Sequence, residues 1–360
     1  MDINKIKGKL KTSEYDFLKN DPRLGENICL LTLGGSLAYG TNLEGHGDID
    51  IRGITLESPD DIIGFGNFEQ VVETNTDTVV YGFNKMIKLL CSNNPNTIEI
   101  LGCKPEHYFH LNEVGQQLLD NKHMFLSQRA AQSFGGYAGA QLNRLENALA
   151  RDRVDQVQKE EHIRRSLLRA MATFKDRYKD LGGSSVILKI IDSKKENMDK
   201  EVCADINLKD YPVREFNSML NELTNVVGSY DKLSHRNNKK DDEHLNKHAM
   251  HLVRLYLMGI DILEKEQINT YRYDDREMLL DIRKGQYMNE DGTYNSSFYD
   301  LTAGLQKRFD YACKNTSLPQ QPDMNKIEEF AMDINRKIVL EGIEMVQAKN
   351  ILKNDIEKGR

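Results

Sequence analysis

The chain has 360 residues, of which 39% are hydrophobic and 29% are charged, so it can bury a core and does not have a disordered or collagen-like composition. Its formal net charge of −7 argues against a nucleic-acid-binding face that dominates the molecule, although a local basic groove fits this balance. No apolar run reaches the roughly 18 residues of a membrane-spanning helix, no apolar signal segment opens the chain and its cysteines form no CxxC pair, which predicts a soluble cytoplasmic protein without a membrane partner.

The first third of the chain predicts a small sheet with a few helices. Strands are predicted at Asn27–Leu33, Asp48–Leu56 and Asp77–Phe83, and helices within residues 1–30 and at Asn84–Cys91. The first of these strands is a continuous apolar run that ends at Gly34, Gly35 and Ser36, which is typical of a buried strand followed by a turn. In the second strand, charged and apolar residues alternate with a period of two.

From about residue 112 onward the apolar residues recur at the three- and four-residue spacing of helices. Helices are predicted at Ala130–Leu149, Glu160–Leu181, Val213–Val227, His244–Glu264 and in the last 25 residues, with a strand at Val186–Ile191 and a loop at His235–Glu243. The pattern indicates an α+β fold in which a head with a small mixed sheet precedes a mostly helical body. We predict one domain for the head, over residues 1–111, and a second, helical domain that covers it, over residues 112–360.

The segment Gly34–Arg52 carries the residues with the clearest chemistry. Asp48 and Asp50 are two residues apart on a predicted strand, so their side chains point to the same face and repel each other unless a cation lies between them. Mg²⁺ takes such carboxylates together with substrate phosphates. Gly35 and Ser36 offer a tight turn, backbone N–H groups and a hydroxyl for anionic oxygens.

Each half of this segment has an ordinary alternative, because a lone DxD is usually a solvated strand face and a lone GGS is usually a turn. Their combination after a buried strand resembles the signature of the DNA polymerase β-like nucleotidyltransferase superfamily, in the branch of predicted nucleotidyltransferases associated with RNA repair. The similarity is specific in GGSLAYGTNLEGHGDIDIRGI and extends with gaps over about residues 28–290. It includes Tyr81–Lys85, Asn94–Glu99, Ser133–Ala138, Gln141, Lys247–Arg254 and Asp281–Gly285.

The resemblance implies a polymerase β-like head and the transfer of a nucleoside monophosphate from a nucleoside triphosphate, with release of pyrophosphate. It implies a two-metal site in which Asp48 and Asp50 bind Mg²⁺, or Mn²⁺, and a third carboxylate completes the set. Asp77 is the first choice for this third ligand and catalytic residue, because it begins the neighbouring predicted strand on the face of Tyr81. Glu73 and Glu99 are the alternatives, and Glu99 equally fits a helix cap or an ion-pair partner for a basic side chain.

Cationic residues around this segment are candidates for binding the triphosphate, and each has a structural alternative. Arg52 either contacts phosphate or neutralises the aspartates, and Lys85 is either a phosphate ligand or an exposed lysine. On the helix after residue 244, Lys247, His251 and Arg254 share one face, which is either a phosphate-binding row or a solvated stripe. The helix Glu160–Leu181 fits an RNA-facing patch or an ordinary salt-bridged face, since it carries Arg164, Arg165, Arg169, Lys175 and Arg177 among acidic residues.

We expect an enzyme that uses an NTP, with ATP as the first candidate, and an RNA or tRNA end as acceptor. The alternatives are nucleotidylation of a protein or a small molecule and, further from the pattern, a nucleotide-binding regulator without turnover. The intact set of Gly35, Ser36, Asp48 and Asp50 argues against the regulator. The pattern leaves the preferred base, the number of nucleotides added and the oligomeric state open.

Overall fold

The computed structural model describes most of the chain. It covers residues 2–43, 48–152, 165, 168, 172, 174, 185–192, 200–213, 215–217, 219–224 and 242–358. A five-stranded mixed sheet lies in the N-terminal region and is followed by a mostly helical body, which confirms the predicted α+β fold class. Among the described helices, none combines the length and the apolar character needed to cross a membrane.

The strands are β1 (Ile28–Leu33), β2 (Ile51–Thr55), β3 (Gln70–Glu73), β4 (Thr78–Gly82), β5 (Tyr108–Leu111), β6 (Ser185–Asp192) and β7 (Lys200–Asn207). The helices of the N-terminal region are α1 (Ile3–Lys9), α2 (Phe17–Asn20), α3 (Gly35–Tyr39), α4 (Pro59–Ile63), α5 (Phe83–Cys91), α6 (Pro95–Ile98) and α7 (Glu113–Asp120). They are followed by α8 (Arg129–Asp152), α9 (Asp242–Lys265), α10 (Arg276–Arg283), α11 (Ser296–Asn315) and α12 (Met324–Lys358).

The order of the strands in the main sheet is β3-β4-β2-β1-β5. All neighbours are antiparallel except β2 and β4, which run parallel with Ile51 opposite Thr78. Parallel strands bring corresponding chain ends to the same edge of a sheet. The residues just before β2 and β4, Asp50 and Asp77, therefore lie side by side.

Most predicted elements that fall on described residues are present, with different boundaries. β2 begins at Ile51, whereas the strand was expected from Asp48, because its partner β1 ends at Leu33, opposite Ile51, where the chain turns into α3. The strands β3, β5 and β7 and the short helices α3 and α4 are additions to the prediction. Most of the helix predicted at Glu160–Leu181 and most of the loop predicted at His235–Glu243 lie outside the described residues.

Two clusters of buried apolar side chains lie on the two faces of the main sheet. The larger one joins β1, β2 and α5 with α9, α11 and α12 around side chains such as Phe83, Leu252 and Phe309. The smaller one joins α1, α3 and β4 with the other side of β1. Every residue of β1 is buried, as expected for a strand covered on both faces.

Contacts between Cα atoms divide the chain into two compact units. The first comprises Met1–Leu142, Asn246–Met288 and Tyr294–Arg360, and the second comprises Asn143–Leu245 and Asn289–Thr293. The first contains the main sheet, and the second contains the antiparallel pair of β6 and β7, whose first strand includes the predicted strand at Val186–Ile191. The boundary predicted after residue 111 stays a prediction, and it falls inside the first unit.

Candidate active site

The turn between β1 and α3 brings the backbone of Gly35 against the side chain of Asp50. Gly35 has a φ of +58°, a left-handed conformation that favours glycine. A Cβ atom placed on Gly35 would lie 1.8 Å from Oδ2 of Asp50, so no side chain fits there. The N–H of Gly34 donates to the carbonyl oxygen of Asp50 at 2.9 Å, and Ser36 follows, partly buried, in α3. The structure thus places the predicted phosphate turn beside the predicted metal ligand.

Asp50 and Asp77 form a pair of carboxyl groups held by Arg52. Nη2 of Arg52 lies 3.4 Å from Oδ1 of Asp50 and 3.4 Å from Oδ1 of Asp77. Nη1 of Arg52 donates to the carbonyl oxygens of Ile51 and Asp77 at 2.9 and 2.6 Å. Of the two roles considered for Arg52, the structure shows the one that neutralises the aspartates.

The two carboxyl groups share a hydrogen bond, which shifts their pKa values in opposite directions. Burial, followed by the hydrogen bond and the charge of Asp77, raises the pKa of Asp50 to about 7. The hydrogen bond with Asp50 lowers the pKa of the more exposed Asp77, and Arg52 acts in the same direction. Two carboxyl groups that share a hydrogen bond are stable with one proton or with a cation between them.

Asp48 stands apart from this pair. It is exposed, whereas Ile49 and Ile51 are buried, so the alternation that places Asp48 and Asp50 on one side of the chain is visible in the burial of the side chains. Within the part of the chain that the structure describes, no three acidic, histidine or cysteine side chains gather closely enough to hold a metal ion. We therefore centre the candidate site on the pair of Asp50 and Asp77.

The row of residues predicted on α9 does not face one environment. Lys247 is exposed, and its charge acts on both carboxyl groups of the pair, opposing the rise that burial causes in the pKa of Asp50. His251 is partly buried with its ring edge toward Tyr39, and burial together with the charge of Arg254 holds its pKa well below 6.5. His251 is thus neutral at physiological pH, and Lys247 supplies the charge that faces the site.

Arg254 is enclosed by the fold. Nη1 of Arg254 lies 3.1 Å from Oε2 of Glu99, and the two side chains are only 4% and 8% exposed. The guanidinium carbon of Arg254 lies 3.7 Å from the centre of the Tyr39 ring, and the Tyr39 hydroxyl donates to Oε1 of Glu99 at 2.9 Å. Contrary to the predicted phosphate-binding row, we assign Arg254 to the support of α3. Glu99, one of the two alternatives for the third carboxylate, forms its ion pair with Arg254.

The remaining candidates are engaged near the ends of the sheet. Nζ of Lys85, at the start of α5, lies 3.1 Å from Oε2 of Glu69, so its predicted phosphate-binding role competes with an ion pair. The carboxylate of Glu73, the other alternative, accepts from the backbone N–H of Asn75 at 3.1 Å. Among the three carboxylates considered as partners for the DxD pair, only Asp77 is shown in contact with Asp50.

Two features of the site were missed from the sequence. Tyr39 was not singled out, because its hydroxyl meets Glu99 only through a contact across 60 positions of the chain. The left-handed Asp77, with φ of +45°, ends a short 3₁₀ turn before β4. Aspartate tolerates this conformation better than most residues. The sequence signal for the turn was therefore an aspartate directly after Thr74–Thr76.

Comparison with known proteins points to the same chemistry. Residues 4–177 match the family described as the RNA repair pathway DNA polymerase beta family. No curated protein and no solved structure matches the chain. The matched segment contains the β1–α3 turn, Asp48, Asp50 and Asp77. The match over residues 4–177 thus confirms the resemblance to the polymerase β-like nucleotidyltransferases of RNA repair.

Proposed function

We propose that this protein transfers a nucleoside monophosphate from an NTP, ATP by preference, to the end of an RNA and releases pyrophosphate. The observation that carries the proposal is the contact between the glycine turn and the carboxyl pair, in which Gly35 approaches Oδ2 of Asp50 and Asp77 adjoins it. This arrangement supports the proposal because N–H donors for phosphate beside carboxylates for a cation are what phosphoryl transfer requires.

The residues of the turn and of α9 would bind and orient the triphosphate. The backbone N–H of Gly35 and the hydroxyl of Ser36 donate to its terminal phosphates, and Lys247 offsets part of their negative charge. Arg52 keeps the carboxyl groups of Asp50 and Asp77 in place through its contacts with both. Asp77, the more exposed of the two, orients the attacking hydroxyl and accepts its proton.

The donor chemistry of the site fits a hard divalent cation. Asp50 and Asp77 are adjacent carboxyl groups that need a proton or a cation between them, and Asp48 is an exposed carboxylate two residues away. Asp50 and Asp77 would hold Mg²⁺ or Mn²⁺, and Asp48 would join them by turning its exposed carboxylate toward the pair. When bound, the cation supplies neutralisation of the charge that develops on the phosphate oxygens.

The test is incubation of the protein and Mg²⁺ with each α-³²P-labelled NTP in the presence of total RNA, total protein or no acceptor. We expect label in RNA from the wild type and none from the double variant Asp48→Asn with Asp50→Asn. Asp333→Asn, which removes an exposed carboxylate on α12, is the matched control and should keep the wild-type rate.

The acceptors discriminate between the candidate functions. Label in protein would move the activity to nucleotidylation of a protein, and label in a small molecule without either polymer would indicate a small-molecule acceptor. Full activity of the double aspartate variant would contradict the assignment of the site. NTP binding without transfer to any acceptor would favour the nucleotide-binding regulator.

A further inference from the structure

A cleft of about 420 Å³ lies next to α3 and outside the carboxyl pair. It is lined by residues 102–105, the second half of α9, the loop 267–275 and Arg308 of α11. All of these segments belong to the first compact unit. Its volume falls in the range of about 300 to 1,000 Å³ that is usual for pockets that hold small organic groups.

One wall of the cleft is an aromatic platform made by the rings of Tyr271 and Tyr273, with the side chain of Lys104 against them. The ring centres of Tyr271 and Tyr273 are 4.6 Å apart, and Nζ of Lys104 lies 3.9 and 4.9 Å from them. The Lys104 side chain is only 19% exposed, whereas Tyr273 is 68% exposed. A cation thus lies against both rings, and the ring of Tyr273 is largely open to solvent.

Most of the charged side chains around the platform are in ion pairs. Arg272 binds Asp261 and Asp275, Nζ of Lys265 lies 2.9 Å from Oδ1 of Asp261, and Arg308 contacts Glu264 through Nε and Nη2. Lys104 lies 3.2 Å from Oε1 of Glu106. A cleft with balanced charges gains little from phosphate groups, so its ligand is recognised by stacking on the aromatic face.

The cleft adjoins the far end of the helix that begins at the glycine turn. A Cβ atom on Gly40, which ends α3, would lie 2.4 Å from the ring of Tyr271. Nε of Arg276 donates to the carbonyl oxygen of Gly40 at 2.9 Å. α3 has five residues, so about 8 Å of helix separate the platform from Gly35. A short length of single strand can reach from one to the other.

We propose that this cleft binds an unpaired base of the acceptor RNA, stacked on Tyr273, and so holds the strand whose end enters the active site. The identity of this strand as acceptor rests on the proposed function, whereas the binding of the base does not. Base stacking on an exposed tyrosine is tolerant of sequence, which suits an enzyme that acts on broken RNA ends.

The test measures binding of a 5′-fluorescein-labelled single-stranded oligoribonucleotide by fluorescence anisotropy, with EDTA and without NTP. Tyr273→Ala should raise the Kd about 5- to 100-fold, and Tyr273→Phe should bind like the wild type, because the ring and not the hydroxyl carries the stacking. Tyr311→Ala is the matched control, since Tyr311 is 65% exposed on α11, and it should leave the Kd unchanged. Thermal unfolding checks that each variant is folded.

An unchanged Kd in Tyr273→Ala would overturn the proposal. An equal loss of affinity in Tyr311→Ala would also overturn it, and so would an equal loss of affinity of Tyr273→Ala for duplex RNA. A loss that disappears when the salt concentration is raised would also overturn it, because it would indicate phosphate attraction. RNA binding that depends on Tyr273 without any transfer would sustain the cleft and refute the proposed function. Transfer to RNA with an unchanged Kd and KM in Tyr273→Ala would refute the cleft alone.

Discussion

At the scale of single residues, Gly35 joins the backbone of the glycine turn to the carboxyl pair. Its positive φ and the 1.8 Å that a Cβ atom would leave to Oδ2 of Asp50 are separate reasons for glycine. Either one alone would strain a larger residue, and together they couple the shape of the turn to the position of a candidate metal ligand.

We expect Gly35→Ala to abolish nucleotidyl transfer and weaken NTP binding. The left-handed backbone costs alanine about 1–2 kcal/mol, and the added methyl group displaces Asp50. Gly304→Ala is the control, because Gly304 lies in α11 with open space around its Cβ position, and it should stabilise the fold by up to about 1 kcal/mol. Calorimetric NTP titration and urea unfolding measure both effects. Wild-type NTP affinity in Gly35→Ala would contradict the proposed turn.

Asp77→Asn should lower the transfer rate by about 10²- to 10⁴-fold, as expected for the loss of a group that accepts a proton. NTP binding should be spared, because Gly35, Ser36 and Lys247 are unchanged. Glu73→Gln is the matched control: its carboxylate accepts from the nearby Asn75 N–H, and the rate should stay at the wild-type level. A normal rate in Asp77→Asn with a low rate in Glu73→Gln would exchange the two roles.

At the scale of secondary-structure elements, the buried ion pair of Arg254 and Glu99 supports α3, the helix that begins at the glycine turn. Tyr39, the last residue of α3, lies between Glu99 after α6 and Arg254 of α9. Glu99 accepts from both the tyrosine and the arginine. The support explains why a basic residue of α9 points into the fold in place of facing a substrate.

Arg254→Met should lower the free energy of unfolding by about 3–5 kcal/mol, because it leaves the buried carboxylate of Glu99 without its cation. The double variant with Glu99→Gln should recover part of this loss. Arg336→Met breaks an exposed pair with Asp333 and should change stability by less than about 0.5 kcal/mol. Urea unfolding measures all three, and equal effects of the two arginine substitutions would refute the structural role of Arg254.

At the scale of the whole molecule, Arg272 ties distant segments of the first unit together. Its backbone N–H donates to the carbonyl oxygen of Tyr39 at 3.4 Å, and its guanidinium binds Asp261 on α9 and Asp275 before α10. Burial opposes the charge of Asp261, but Arg272, Lys265 and Asn269 outweigh burial and lower its pKa below 3.8. The pair therefore links stability to pH.

Because the folded pKa of Asp261 is depressed, its contribution to stability is present above its unfolded pKa and is lost as the pH falls through the folded value. Asp261→Asn should therefore be less stable than the wild type from neutral pH down to about pH 5, and the difference should narrow below pH 3.8. Urea unfolding across this range measures it, with Asp333→Asn as the exposed control. A difference that stays constant into acid would contradict the charged pair.

We expect neither residues 1–111 nor residues 1–177 to fold alone. The larger core cluster joins side chains of β1, β2 and α5 to α9, α11 and α12, so either fragment leaves this core open. Loss of a cooperative urea transition in both fragments, against the full chain as reference, is the expected outcome. Cooperative unfolding of residues 1–111 would instead support the domain boundary predicted from the sequence.

Local chemistry made part of this protein predictable from its sequence. The apolar run of β1, the glycine turn and the alternation from Asp48 to Gly53 depend on backbone geometry and on burial of neighbouring residues. These constraints act within a few positions, so they indicate a strand, a turn and a carboxylate pattern without knowledge of the fold. The α+β class and the long helices follow from periodicity for the same reason.

Only the tertiary structure decided which distant residues meet. The parallel pairing of β2 with β4 places Asp77 beside Asp50, whereas Glu73 and Glu99 are engaged elsewhere. The burial of Arg254 depends on a partner 155 positions away, and helical spacing alone describes a row without saying what packs against it. Such pairings arise from sheet topology and from the packing of whole elements, and neither is encoded in the periodicity of a single segment.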